Sequence, residues 1–310
     1  MTSAHEQVRV QELPVTFECE GSTLVGMVHL PNQVRTRGLL VVVAGGPQYR
    51  GGVCRMQVTL ARQLAATGTP VMRFDHRGLG DSEGQFQGFT AVTADIGAAL
   101  AAFMKSVPGL REVVLWGGCD AASASMISGW KHPQITGLVL GNPWVHTQET
   151  GDLVAVKHFR QRLGDADFWR KVLRLQYNPF PALVTLVRAA WQRVVRQRGM
   201  LDAEGAIAAD NPHLPFRQRM RLGLSRFRGD VLLLMSGRSL VSKEFDELIT
   251  SDIAWQDAMR SPRHLVRFDI ADADQAFSTG LARMALNRAI ECWMHDPKVD
   301  LTSQGVAVAG

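Results

Sequence analysis

Five apolar residues in succession, Leu39-Leu40-Val41-Val42-Val43, leave this chain few ways to fold. A strand turns alternate side chains to opposite faces, so one buried face needs only every second residue apolar. A run of five fits a strand covered on both faces, at the centre of a sheet with helices on either side. Apolar and period-two runs predict strands near 14–19, 23–30, 38–44, 70–74, 111–116, 135–140, 230–235 and 263–269. Helical spacing falls between the later ones, near 53–67, 90–106, 120–130, 243–259 and 279–295. This alternation predicts an α/β fold, a mainly parallel sheet with helices on both faces. The first two strands lack an intervening helix and read as an antiparallel start.

The stretch 147–228 interrupts the alternation. Helical patterns recur in it at 154–163, 168–175, 183–198 and 215–224, with breakers at Asn178-Pro179-Phe180-Pro181 and Asn211-Pro212. It is expected to be a helical cap. The core would then run over 12–146 and 229–298, leaving a tail at 299–310 that is small and polar enough to be disordered. Between Gly151 and Asp230 there are 15 Lys and Arg against 7 Asp and Glu, whereas the whole chain has a net charge of +5. The body outside the cap is therefore slightly acidic. A basic cap suggests an anionic partner, such as an acyl-carrier protein, coenzyme A or a phosphorylated substrate; the competing reading is a set of solvated helix faces. No nucleic-acid motif with interleaved aromatics is present.

With 46% hydrophobic and 20% charged residues, the composition is that of a globular protein. No apolar stretch is long enough to span a bilayer, and no signal peptide is apparent, so a cytoplasmic location is expected. Cys19, Cys54, Cys119 and Cys292 are scattered, with no C-x-x-C pair. That argues against a structural zinc site and a disulfide framework; neither metal nor cofactor is expected.

The chemistry-bearing candidate is the turn Gly117-Gly118-Cys119-Asp120-Ala121, between the apolar run Val113–Trp116 and a small-residue segment. Strand, sharp turn and helix form the setting in which a G-x-S-x-G nucleophile is held, with Cys119 at the serine position. Small neighbours suit it because the central residue takes strained φ/ψ. Helix amides facing Cys119 would favour a thiolate and an adjacent oxyanion. A buried structural cysteine is the alternative.

Six segments stand out: Gly45-Gly46-Pro47-Gln48-Tyr49-Arg50, Arg73 to Gly84 (RFDHRGLGDSEG), Gly118-Cys119-Asp120, Asn142-Pro143-Trp144-Val145, Phe168-Trp169-Arg170-Lys171 and Ser236-Gly237-Arg238. Together they resemble the exosortase A system-associated hydrolase type 1 family of the α/β-hydrolase superfamily. The match runs from about residue 12 to 296. It implies an α/β-hydrolase fold, a cysteine nucleophile, and a role near export or assembly of surface polymers and sorted proteins. The family pattern S-G-x-D-L, which supplies a triad acid, reads Ser236-Gly237-Arg238-Ser239-Leu240 here. The pattern A-D-H-T-F-S reads Ala273-Asp274-Gln275-Ala276-Phe277-Ser278. Gln275 thus stands at the expected base position and Ser239 at the expected acid position.

Glutamine cannot accept and return a proton as histidine does, so an ordinary hydrolytic cycle should be crippled. A thiol stays nucleophilic without a base because a small fraction ionises at neutral pH. His146 and, more weakly, His76 are candidate relocated bases, each weighed against a structural hydrogen-bonding role. Glu244, Asp246 and Asp274 are candidate displaced carboxylates, each weighed against capping or solvent exposure. The Asp120 amide and that of Gly46 or Gln48 are candidate oxyanion donors. Tyr49, Arg50 and Trp144 are candidate substrate contacts, although Arg50 could simply pin its loop. Three functions follow: acyl transfer or condensation from a thioester or activated ester through Cys119; a non-catalytic homologue used for binding or assembly; and a hydrolase with a relocated histidine.

Overall fold

The run at 39–43 is buried on both faces, and the rest of the sheet is arranged around it. The computed structural model describes residues 9–43, 48–146 and 211–301. Eight strands form one sheet: β1 (Val10–Cys19), β2 (Ser22–Pro31), β3 (Arg37–Val41), β4 (Val71–Phe74), β5 (Glu112–Gly118), β6 (Ile135–Gly141), β7 (Asp230–Ser236) and β8 (His264–Ile270). Their spatial order is β1-β2-β4-β3-β5-β6-β7-β8. β1 pairs antiparallel with β2, and β2 with β4. Every other pairing is parallel.

The helices are α1 (Met56–Ala66), α2 (Thr93–Ser106), α3 (Asp120–Ser128), α4 (Phe216–Arg226), α5 (Leu240–Ser251), α6 (Ile253–Met259) and α7 (Gly280–His295). Leu40, Val42, Val113, Leu115, Val231 and Leu233 face one way, into a core shared with α2, α3 and α4. Their neighbours Leu39, Val41, Val43, Val114, Trp116, Leu232 and Leu234 face the other way, against α1 and α7. Each such side chain contributes about 1.5–3 kcal/mol of burial, which is why the central strands carry no polar alternation. The Trp116 indole N–H inside the second core donates to Gln57 Oε1 at 2.7 Å, so its one polar atom is satisfied.

The sequence patterns and the elements agree in kind and differ at boundaries. The helix expected over 243–259 is two helices, because Asp252 breaks it with extended backbone and caps α6 by accepting from the amides of Ala254 and Trp255. Its start moves back to 240 because Ser239 caps α5, accepting from the Ser242 amide. The helix expected from 53 opens instead with a short 3-10 turn, since Cys54 and Arg55 have positive φ. The patterns at 154–163, 168–175 and 183–198, and most of the basic cap, lie outside the described residues. The pattern at 215–224 is α4. Of the tail expected at 299–310, Val299 and Leu301 pack against the α1/α7 core, while 302–310 lie outside the described residues. Among the described residues no helix is long and apolar enough to cross a membrane.

α4 lies so close to α3 that a Cβ at Gly223 would fall against the Met126 carbonyl oxygen. In a free helix, Gly→Ala stabilises by up to about 1 kcal/mol. Here the collision reverses the sign: Gly223→Ala should destabilise by about 1–3 kcal/mol, read as a lower midpoint in denaturant unfolding.

Candidate active site

β5 ends at Gly118 and α3 begins at Asp120, which leaves Cys119 alone to turn the chain. It does so at φ 58 and ψ −123, a conformation that costs about 1–3 kcal/mol for a residue with a side chain. The surroundings hold it there. Its amide donates to the Gly141 carbonyl at 2.7 Å, and its own carbonyl accepts from the amides of Ala122, Ser123 and Trp144 at 3.1–3.2 Å. Gly117 is required on the other side of the turn, because a Cβ there would lie 2.6 Å from the Ala121 carbonyl carbon. The turn therefore presents Cys119 at the carboxyl ends of the central parallel strands, where open α/β sheets bind ligands.

The Cys119 sulfur is half-buried and accepts a hydrogen bond from Gln275 Nε2 at 3.2 Å. Burial and the neighbouring Asp120 carboxylate push the thiol's pKa up, and the donors from Gln275 and the Asp120 amide offset only part of that. The thiolate expected from helix amides alone is thus outweighed by desolvation. Asp120 is itself largely desolvated, which raises its carboxyl pKa, and its Oδ1 accepts from the Ala121 amide at 3.0 Å.

Asn142 holds Gln275 in place. Buried at φ 45 just beyond β6, it spends all four of its hydrogen-bonding positions on the loops around it. Its Nδ2 donates to Gln275 O at 2.9 Å and to Ser236 Oγ at 2.7 Å. Its Oδ1 accepts from the Ser236 amide at 2.8 Å and Ser242 Oγ at 2.7 Å. Ser236 Oγ passes the chain on to Asp274 O at 2.7 Å. Sequence reasoning quoted Asn142 within a motif but gave it no role. A polar residue directly after an all-apolar strand was the available signal.

The other candidates take the following places. Ser239, at the expected acid position, is buried as the α5 cap. His146 has its Nδ1 2.9 and 3.1 Å from the two carboxylate oxygens of Glu244 on α5, and no hydrogen bond joins it to Cys119. Its ring lies 5.5 Å from that of Trp144. His76 is fully buried, paired through Nδ1 with Asp95 at 3.3 Å, and not bonded to Cys119. Asp95 also accepts from Arg77 and from Cys19, whose pKa is pushed up to about 11. Among the other candidate carboxylates, Asp246 pairs with Arg267 at 2.7 Å, and Asp274 accepts from the amide and hydroxyl of Ser278.

Gly46 lies outside the described residues; Gln48 and Tyr49 are exposed. Arg50 is drawn inward, donating to Asp75 through both its amide and its guanidinium, and pairing with Asp81 at 2.7 Å. A cavity of about 330 Å³ lined by Trp130, Arg226, Arg228 and Arg263 lies at the amino ends of β5–β7, the opposite end of the sheet from Cys119.

Comparison with known proteins bears on this geometry. Residues 35–197 match the family described as Serine aminopeptidase, S33. Among solved structures the chain is similar to the Pyrococcus furiosus esterase Pf2001, at 11% identity and a TM-score of 0.59, over 92% of this chain and 91% of that one. It is similar to Est1E from Butyrivibrio proteoclasticus, solved with ferulic acid, at 12% identity and a TM-score of 0.56, over 91% and 98%. It is also similar to the esterase domain of a Rhodothermus marinus protein, at 16% identity and a TM-score of 0.54, over 91% and 97%. No curated protein matches. With the strand order above, these likenesses make the fold that of the α/β-hydrolases.

The raised thiol has a direct readout. Alkylation of Cys119 by iodoacetamide, followed by peptide mass spectrometry, should keep accelerating beyond about pH 8.5, the ordinary thiol value. Asp120→Asn should move that profile to lower pH by removing the opposing charge. Gln275→Ala should move it further up by removing a donor.

Proposed function

This chain belongs to the Serine aminopeptidase, S33 family, and on that premise we propose that it is an acyl-handling enzyme carrying its acyl group on Cys119. The observation that supports this most is the 3.2 Å hydrogen bond from Gln275 Nε2 to the Cys119 sulfur. Where a histidine would take the thiol's proton, an amide donates to the sulfur instead. That contact steadies the sulfur when it is negatively charged, on attack and again on departure, but it cannot move a proton.

The substrate class follows from this restriction. Cys119, in its thiolate form, attacks an acyl carbonyl carbon; the new C–S bond forms, and the carbonyl oxygen takes the negative charge beside the Asp120 amide. Collapse expels the leaving group. A thiolate leaves without being protonated, so exchange from a thioester needs no general acid. An alkoxide would need a proton that Gln275 cannot give. A thioester or an activated ester is therefore favoured over a simple alkyl ester. Gln275, the group on the sulfur, cannot deprotonate a water molecule there, so transfer to another nucleophile, or condensation with it, is favoured over rapid hydrolysis.

The basic composition of 151–230 supports an acyl donor on an anionic carrier, an acyl-carrier protein or coenzyme A. The resemblance to the exosortase A system-associated hydrolases supports a setting in surface-polymer export or assembly. Intact-mass analysis after incubation with an acyl-coenzyme A tests the reading. One acyl adduct is expected on the wild type and none on Cys119→Ala. Absence of the adduct, or an equal adduct on Cys119→Ala, overturns it. Gln275→His should shorten the lifetime of the adduct in water at least tenfold, since it restores a titratable nitrogen beside the sulfur.

A further inference from the structure

His146 and Glu244 are far apart in sequence and meet at the end of the sheet that also holds Cys119, the carboxyl ends of the parallel strands. Glu244, on the first turns of α5, is buried, with its side chain 10% exposed; His146 is 46% exposed. Both carboxylate oxygens lie within hydrogen-bond distance of Nδ1, at 2.9 and 3.1 Å, so the carboxylate fixes the ring through that nitrogen and Nε2 is the one it does not engage. A carboxylate held on Nδ1 fixes the tautomer and orientation of the ring, which is the arrangement a proton-accepting histidine requires.

The pair is tied to the nucleophile through the backbone. Trp144 donates from its amide to the Cys119 carbonyl at 3.2 Å and accepts from Ser123 Oγ at 2.7 Å through its own carbonyl. Two residues of chain, at most about 7 Å, separate it from His146. Yet no hydrogen bond joins the imidazole to the sulfur, whose side-chain donor is Gln275. A base on the same rim as the nucleophile, but not bonded to it, suits the second substrate rather than the first.

We propose that His146, oriented by Glu244, is the base for the acyl acceptor, a small molecule bearing a hydroxyl group. This rests on the acyl-enzyme reading above and divides that reaction between two sets of residues. Cys119 takes the acyl group with Gln275 donating to its sulfur. In the second half, Nε2 of His146 takes the hydroxyl proton as the acceptor oxygen bonds to the acyl carbon. The tetrahedral intermediate collapses, the C–S bond breaks, and the thiolate leaves toward the Gln275 amide. The imidazolium gives its proton to solvent and the thiolate takes one back, regenerating both groups and releasing an ester.

The test uses the acyl-enzyme formed from an acyl-coenzyme A, followed by intact mass, with two acceptors. Glycerol presents hydroxyls that need a base. Hydroxylamine attacks thioesters as the free base and needs none. In His146→Ala, transfer to glycerol should fall about 100-fold, while adduct formation and hydroxylamine release stay within about twofold of wild type. Glu244→Gln, which acts through the histidine, should slow glycerol transfer about tenfold with the same hydroxylamine rate. Equal loss with both acceptors would make His146 a structural residue and overturn the proposal, as would unchanged glycerol transfer or none in the wild type. Failure of the adduct to form at all would instead overturn the acyl-enzyme reading itself.

Discussion

The parallel pairing of β5 with β6 does not stop where the strands do. It continues one residue further, as the 2.7 Å hydrogen bond from the Cys119 amide to the Gly141 carbonyl. That contact fixes the Cys119 backbone to the sheet in a conformation it would not keep alone. The next residue on the acceptor side, Asn142, then turns at positive φ and gathers the loops after β7 and β8. A single extension of a strand ladder thus sets both the strained turn and the position of the residue that meets its sulfur.

This arrangement explains why the site tolerates an unusual set of side chains. The backbone bonds that hold Cys119 in its turn do not involve Gln275 or Ser239, so a change at either leaves that geometry standing. What changes is the electrostatics. Burial and Asp120 hold the thiol above its ordinary range, and an amide donor recovers part of the cost. His146 pairs with Glu244 on the rim, while His76 sits with Asp95, Arg77 and Cys19 inside the fold.

Much of the architecture was legible beforehand because it rests on short-range periodicity. All eight strands lie where apolar runs placed them, since a central parallel strand needs both faces apolar and few other elements do. The error at 243–259 has the same origin in reverse. Helical periodicity continues across Asp252, and only its extended backbone and capping bonds reveal the break. The elbow could be read because Gly117 and Ala121 are the residues that a tight strand-to-helix turn admits. The network around Asn142 could not, for its partners lie about a hundred residues away in sequence.

By itself the amino-acid order determined the layered sheet and the position of the turn, both carried by neighbouring residues or by residue identity. Tertiary structure alone decided that Gln275 donates to the sulfur, that Arg50 is occupied by Asp75 and Asp81, and that His146 has Glu244 behind it. Hydrogen bonds of about 3 Å between loops depend on where whole strands end. No local pattern encodes that distance, because it is set by the packing of every layer beneath it.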